Sequence, residues 1–302
     1  MRVLLIDVNY KYKLSENLTI DWQAAYYNTT VEINNNYYLY PAGTNLGTGV
    51  YEQGVIGNPE TWERHYRLNA TGLYSGFEQH TLRFGMGYHK GDMYRTKEAK
   101  NFAQGPNGEF LTSNSSVVDV TDTPYVFLRE RDRTSQYAFM QDVWALANDW
   151  ELTAGIRYDN YSDFGSTTNP RLALVWSTSL SLSTKVLYGK AFRSPSFAEL
   201  SGINNPVAIG NPSVTPEEME TFELSFDYHP LTDVGAILSI YRYKWSDILQ
   251  FVANEGEYIK TAQNYGEQAG YGVELEFNWQ INPDLKLASN YVVSKATNDL
   301  TH

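Results

Sequence analysis

Few side chains in this 302-residue chain are spaced for covalent chemistry. Cysteine is absent, which removes disulfides, thiolate metal sites and a cysteine nucleophile. The five histidines, His65, His80, His89, His229 and His302, show no metal-ligand spacing along the chain. No G-x-S-x-G elbow, P-loop or H-E-x-x-H pair occurs. Asp163-Phe164-Gly165 repeats three letters of a kinase motif without its companions, and the glycine-rich 43–49 stretch opens no helix to cradle a phosphate. With 35 acidic residues, carboxylate pairs arise by number alone, so no glycosidase geometry follows from them. An enzyme is not expected. Binding without chemistry is better served: Tyr37, Tyr38, Tyr40, Tyr51, Phe102, Phe110, Tyr125 and Phe164 lie in connections rich in Asn, Gly, Ser and Thr. Aromatic side chains offer rigid contact area at low entropy cost, so these rings are candidate ligand contacts, although each alone reads equally as loop packing.

The elements that carry these residues follow a period of two. Leu82, Phe84, Met86 and Tyr88 alternate with Arg83, Gly85, Gly87 and His89; Leu152, Ala154, Ile156 and Tyr158 alternate with Thr153, Gly155, Arg157 and Asp159. Phe222, Leu224, Phe226 and Tyr228 oppose Glu223, Ser225 and Asp227, and Val273, Leu275, Phe277 and Trp279 oppose Glu274, Glu276 and Asn278. One face is apolar; the other carries charges, amides and glycine. The net charge of −12 argues against a nucleic-acid partner. No apolar run approaches the roughly 18 residues of a membrane helix, which excludes a helical membrane protein but not a barrel. A soluble β-sandwich alternates in the same way, with its apolar face in a core.

Turns separate these readings. Short polar turns at 14–17, 148–149, 229–233 and 282–284 alternate with long connections near 34–58, 97–123, 194–215 and 249–260, and a shorter one at 162–168. Short turns at one end and long loops at the other fit an outer-membrane barrel, and sandwiches as a rule lack that asymmetry. The pattern predicts twelve strands: 2–13, 18–33, 60–76, 80–96, 128–147, 150–161, 169–178, 181–193, 217–229, 233–248, 262–281 and 284–297. Trp and Tyr gather towards strand ends, as in the aromatic girdles of such barrels. The apolar start Val3-Leu4-Leu5-Ile6 ends at Asp7 and is too short for a secretory signal, so the chain reads as mature or incomplete at its amino end.

At this point particular blocks resemble a known family. Residues 187–200, LYGKAFRSPSFAEL, include Phe192, Arg193 and Pro195 and are similar to the barrel segment of TonB-dependent outer-membrane receptors. So are 210–218, GNPSVTPEE, with Gly210, Asn211, Pro212, Pro216 and Glu217, and the TFEL that begins at Thr221. Weaker blocks are AGIRYD at 154–159, NYG at 264–266 and GVELE at 272–276. Thr215 departs from the Lys, Asp or Glu usual there, which bears on a loop contact only. The family's plug domain, its TonB-contacting box and its terminal aromatic strand have no counterpart here. The resemblance therefore implies that 1–302 is a partial receptor barrel domain without its plug. Its fold class is then all-β: an antiparallel transmembrane β-barrel segment, open, with about 12 strands from the middle of a barrel of about 22.

Further expectations come from the same resemblance. Arg83, Arg157, Glu223, Glu274 and Glu276 face the lumen and a plug. Arg129, Arg131 and Arg133 join the loop rings in holding an anionic chelate near the mouth. The prolines at 195, 206, 212 and 216 make a stiff loop that nucleates its own fold or shapes a funnel. The implied activity is uptake of a ferric siderophore, or of cobalamin, haem or an oligosaccharide, at the Gram-negative outer membrane. The implied partners are outer-membrane lipid, the TonB-ExbB-ExbD complex through the plug, and a small ferric chelate, with no resident metal or cofactor and no nucleic acid. A passive porin-like barrel, a soluble β-sandwich and an outer-membrane enzyme are the competing readings.

Overall fold

The computed structural model describes residues 2–46, 49–256 and 259–299. His302 and Gly47 of the glycine-rich stretch lie outside them. Twelve antiparallel strands follow one another in chain order: β1 (Arg2–Lys13), β2 (Leu18–Val31), β3 (Val55–Phe77), β4 (His80–Lys100), β5 (Arg131–Ala147), β6 (Trp150–Tyr161), β7 (Gly165–Ser179), β8 (Leu182–Arg193), β9 (Glu217–Leu231), β10 (Val234–Ser246), β11 (Glu267–Asn282) and β12 (Leu285–Asp299). Each pairs with its sequence neighbours, and β1 does not pair with β12, so the wall is open among the described residues. Turns of two to four residues all fall at one end, and the longer connections with the three-residue turn 162–164 fall at the other.

The period-two pattern becomes two unlike faces because register carries it across strands. Phe84 lies opposite Met140, and Met140 opposite Ile156. Leu224 lies opposite Ile240, which lies opposite Val273, which lies opposite Val293. Among the described residues no second sheet covers this face: Phe222 is 52% exposed and Val273 41%. An uncovered apolar belt of this extent is incompatible with a sandwich core and fits a wall facing hydrocarbon. Beside the short turns, the rings of Trp150 and Trp176 stack at 5.0 Å and those of His80 and Trp144 at 5.2 Å, the level at which an aromatic girdle meets headgroups.

The buried residues gather instead at the long-loop end. Tyr51, Val55 and Phe102 form one cluster with Leu39 and Tyr40; Leu200, Val214 and Ala262 form another with Phe164 and Leu249. Several expected boundaries change there. The 262–281 segment is broken at Gly266, whose φ of +91° a side-chain-bearing residue adopts at a cost. Its first part, Lys260–Asn264, pairs instead with Leu249–Ala253, and with Ala208–Ile209 in parallel, so the expected 249–260 loop is largely a hairpin. β3 and β4 run on beyond the expected segments until Gly57 meets Lys100. The 162–168 connection shrinks to three residues because Gly165, with φ +93°, restarts the ladder.

Candidate functional site

The loop platform is assembled around the end of β8. Arg193 donates to Glu217 through Nε and Nη2 at 2.8 Å each, and to Glu199 through Nη1 and Nη2 at 3.0 Å each. Ser196 caps the five-residue helix α1 (Phe197–Ser201): its Oγ accepts from Glu199 N at 3.2 Å, while its own N donates to Glu199 Oε2 at 2.7 Å. Glu217 also accepts from Leu249 N at 2.8 Å, which ties the neighbouring hairpin to the clasp. Burial pushes both carboxyls up, but the Arg193 guanidinium and the amide donors outweigh it and hold Glu199 and Glu217 below the ordinary carboxylate range. Hydrogen bonding to Glu217 and then to Glu199 in turn raises Arg193.

The rest of the motif is equally structural. A Cβ on Gly210 would stand 2.4 Å from Ser201 N, which is main chain and cannot yield. Asn211 Nδ2 donates to Ala262 O at 3.1 Å, and Pro195 is fully buried. Pro212 is exposed and Pro216 half-buried at the two ends of the turn that leads into β9. Phe192, one residue before Arg193, packs edge-on to Tyr161. Asn264 donates to Thr215 O at 2.9 Å and accepts from Thr215 N at 2.8 Å. Residue 215 is thus held by its main chain, and its side chain is exposed.

Arg133 binds Asp163 through Nε at 3.0 and 2.8 Å, donates to Pro195 O at 2.9 Å, and lies over the rings of Phe164 and Phe197 at 5.0 and 4.8 Å. Its fork is committed to the platform. Arg131 lies 5.7 Å from the Phe197 ring, whereas Arg129 is exposed with one bond to Pro124 O at 3.2 Å. Among the candidate rings, Phe110 is 74% exposed and Tyr37 and Tyr38 are also open, while Tyr40, Tyr125 and Phe164 are half-buried. Tyr51 at 2% and Phe102 at 1% are core of the loop cluster and present no surface to a ligand, a correction that burial of two large rings explains.

Chain reading missed the residues beneath the platform. On the part of β4 beyond the wall's apolar belt, Glu98 and Lys100 are 3% and 0% exposed. Lys100 Nζ donates to Tyr125 O at 2.5 Å, Glu98 accepts from Phe127 N, and Asn204 Nδ2 donates to Pro124 O at 2.9 Å. Burial pushes Glu98 up to about 6 against the pull of Lys100 and the Phe127 amide, and burial lowers Lys100. Two buried charges in a polar segment leave no trace in composition. His65 and His89 were likewise missed: they are far apart in sequence, but pairing of β3 with β4 places Nδ1 of one 3.1 Å from Nε2 of the other, with Glu63 at 3.3 Å from His65.

On the polar face of the wall, Arg83 lies against Phe139 at 6.0 Å; Arg157 grips Asp159 at 2.7–3.1 Å and covers the Tyr137 ring at 3.8 Å. Glu223 and Glu274 are half-buried and Glu276 exposed. The arrangement offers rings, guanidinium groups and carboxylates for reversible contact. Residues 3–301 match the family model described as TonB dependent receptor-like, beta-barrel. The chain belongs to this family. The iron-regulated outer membrane virulence protein of Vibrio cholerae is 27% identical over 208 residues, covering 62% of this chain and 32% of that protein. The vitamin B12 transporter BtuB of the same organism is 27% identical over 172 residues, covering 53% of this chain and 26% of its own length. The ferric yersiniabactin uptake receptor FyuA from Yersinia pestis superposes with a TM-score of 0.65 at 14% identity, covering 98% of this chain and 43% of that one. The chain thus spans about a third or less of the curated relatives it matches. As a TonB-dependent receptor barrel it resides in the Gram-negative outer membrane.

Proposed function

We propose that this chain supplies wall and mouth to an outer-membrane active transporter whose cargo is a ferric siderophore. The carrying observation is a set of exposed rings, Tyr37, Tyr38 and Phe110, on long connections at the same end of the wall as the Arg193–Glu199–Glu217 clasp. Aromatic rings give contact area at low entropy cost, and Arg129 adds a cation that a negatively charged chelate attracts. The names of an iron-regulated relative and of a ferric-chelate receptor of the same fold support that cargo. No covalent step is required: capture by the loops is followed by rearrangement of a plug driven through TonB-ExbB-ExbD, with Arg83, Arg157, Glu223, Glu274 and Glu276 facing that plug. Cobalamin is the second reading, favoured by the identity to a vitamin B12 transporter. The test is uptake of radiolabelled ferric siderophores and of cyanocobalamin by cells carrying the receptor, with and without TonB. Siderophore uptake that needs TonB and falls at least about tenfold in a Tyr37→Ala/Tyr38→Ala/Phe110→Ala variant supports the first reading. Uptake of cobalamin alone supports the second, and uptake indifferent to TonB makes the barrel a passive pore.

A further inference from the structure

The polar face of the wall carries cations without counterions. Register places Arg83 opposite Gln141, Gln141 opposite Gly155 and Gly155 opposite Arg171, a single row across β4 to β7. Gly155 contributes no side chain to this row between Gln141 and Arg171. A Cβ there would meet Arg171 Cγ and Gln141 Cβ at 3.3 Å each, so the two neighbouring side chains close over the space a side chain would fill. One strand row further along, Arg157 lies between Phe139 and Asn169. Together these residues line a hollow of about 370 Å³.

The charges in the hollow are unequal in freedom. Arg157 is neutralised by its fork on Asp159, and Lys190 at the rim by Glu218 at 2.8 Å. Among the described residues neither Arg83 nor Arg171 has an ion-pair partner; Arg83 has only the face of Phe139. Free guanidinium groups are conspicuous in a chain of net charge −12, where acids outnumber bases at 35 to 23. A guanidinium fork presents paired donors that match carboxylate and phosphate oxygens, and Gln141 adds an amide donor between the two forks. We propose that the Arg83–Gln141–Arg171 row is a binding site for a multivalent oxyanion, carboxylate or phosphate in chemistry, on the lumen side of the wall. The proposal rests on register and charge, and it is independent of which cargo the receptor takes. The anion is a free solute that reaches the lumen side of the wall.

Titration calorimetry at low salt, with inorganic pyrophosphate as probe and the full chain folded in a non-ionic detergent, tests the site. Saturable binding is expected, weakened by roughly tenfold or more in Arg83→Gln and again in Arg171→Gln, because each removes a charge-assisted fork. Arg242→Gln, on the opposite face of the wall, leaves it unchanged. Absence of saturable binding, or an equal loss in Arg242→Gln, overturns the proposal. Because glutamine on the wall can disturb insertion, arginine Nε resonances of the unaltered chain give a second reading. Pyrophosphate must move those of Arg83 and Arg171, and movement confined to other arginines overturns the site. Pyrophosphate binding is expected in the complete receptor as well, and its absence there overturns the proposal.

Discussion

Replacing Lys100 by Met should open the loop platform in a pH-dependent manner. The ammonium is fully buried and donates to Tyr125 O and Asn204 O, so its removal strips two carbonyls of a charged donor. It also leaves Glu98, 3% exposed, without the one cation that pulls its carboxyl down. Charge-assisted bonds of this kind and an uncompensated buried charge together place the cost at about 2–4 kcal/mol. The sign with pH follows from Glu98. Its folded pKa of about 6 lies above the ordinary 4.5, so the folded loop holds the proton more tightly, and stability from this group is lost as pH rises through that interval. Without Lys100 the carboxyl rises further, so the penalty is greatest near pH 8 and shrinks towards pH 5, where a neutral Glu98 needs no cation. Amide hydrogen exchange over 97–130, corrected for intrinsic rates, reads the local opening energy directly. A Glu98→Gln/Lys100→Met double variant should recover part of the loss at pH 8 and little at pH 5. A cost equal at both pH values, or below about 1 kcal/mol, refutes the reasoning.

Three further substitutions probe other parts of the fold. Gly210→Ala drives a methyl group onto Ser201 N and should unseat the 194–216 connection while the wall persists, seen as proteolysis confined to that loop. Ile240→Arg puts a charge in the middle of the apolar belt and should cost about 2–4 kcal/mol in unfolding from bilayers, whereas Ser239→Arg on the polar face should cost much less.

The wall was legible because two rules act on every residue of a strand: side chains alternate, and one face must be apolar where it meets lipid. β1 and β6 carry the bounds that alternation and turn chemistry predict. The loops were less legible because their order comes from contacts remote in sequence. Lys100 bonding to Asn204, or Asn264 bridging Thr215 and Asp247, has no local period. The positive φ of Gly165 and Gly266 sets where the ladder restarts and breaks, and local alternation, which ran one strand through 266, carries no sign of it. The candidate site divides in the same way. Arg193, Gly210 and Asn211 were found by resemblance and prove to hold the platform together, whereas Tyr51 and Phe102 show that an aromatic in a polar connection can be that connection's own core.

Alternate residues of the wall face lipid and water. Cysteine is absent, so single cysteines placed from 221 to 228 can be spin-labelled without background. Accessibility to oxygen, which partitions into hydrocarbon, and to a water-soluble nickel chelate should then oscillate with a period of two in the liposome-inserted protein. Labels at 222, 224 and 226 are predicted to favour oxygen, and labels at 223, 225 and 227 the nickel chelate. Equal accessibility along the segment, or the reverse phase, would contradict the account.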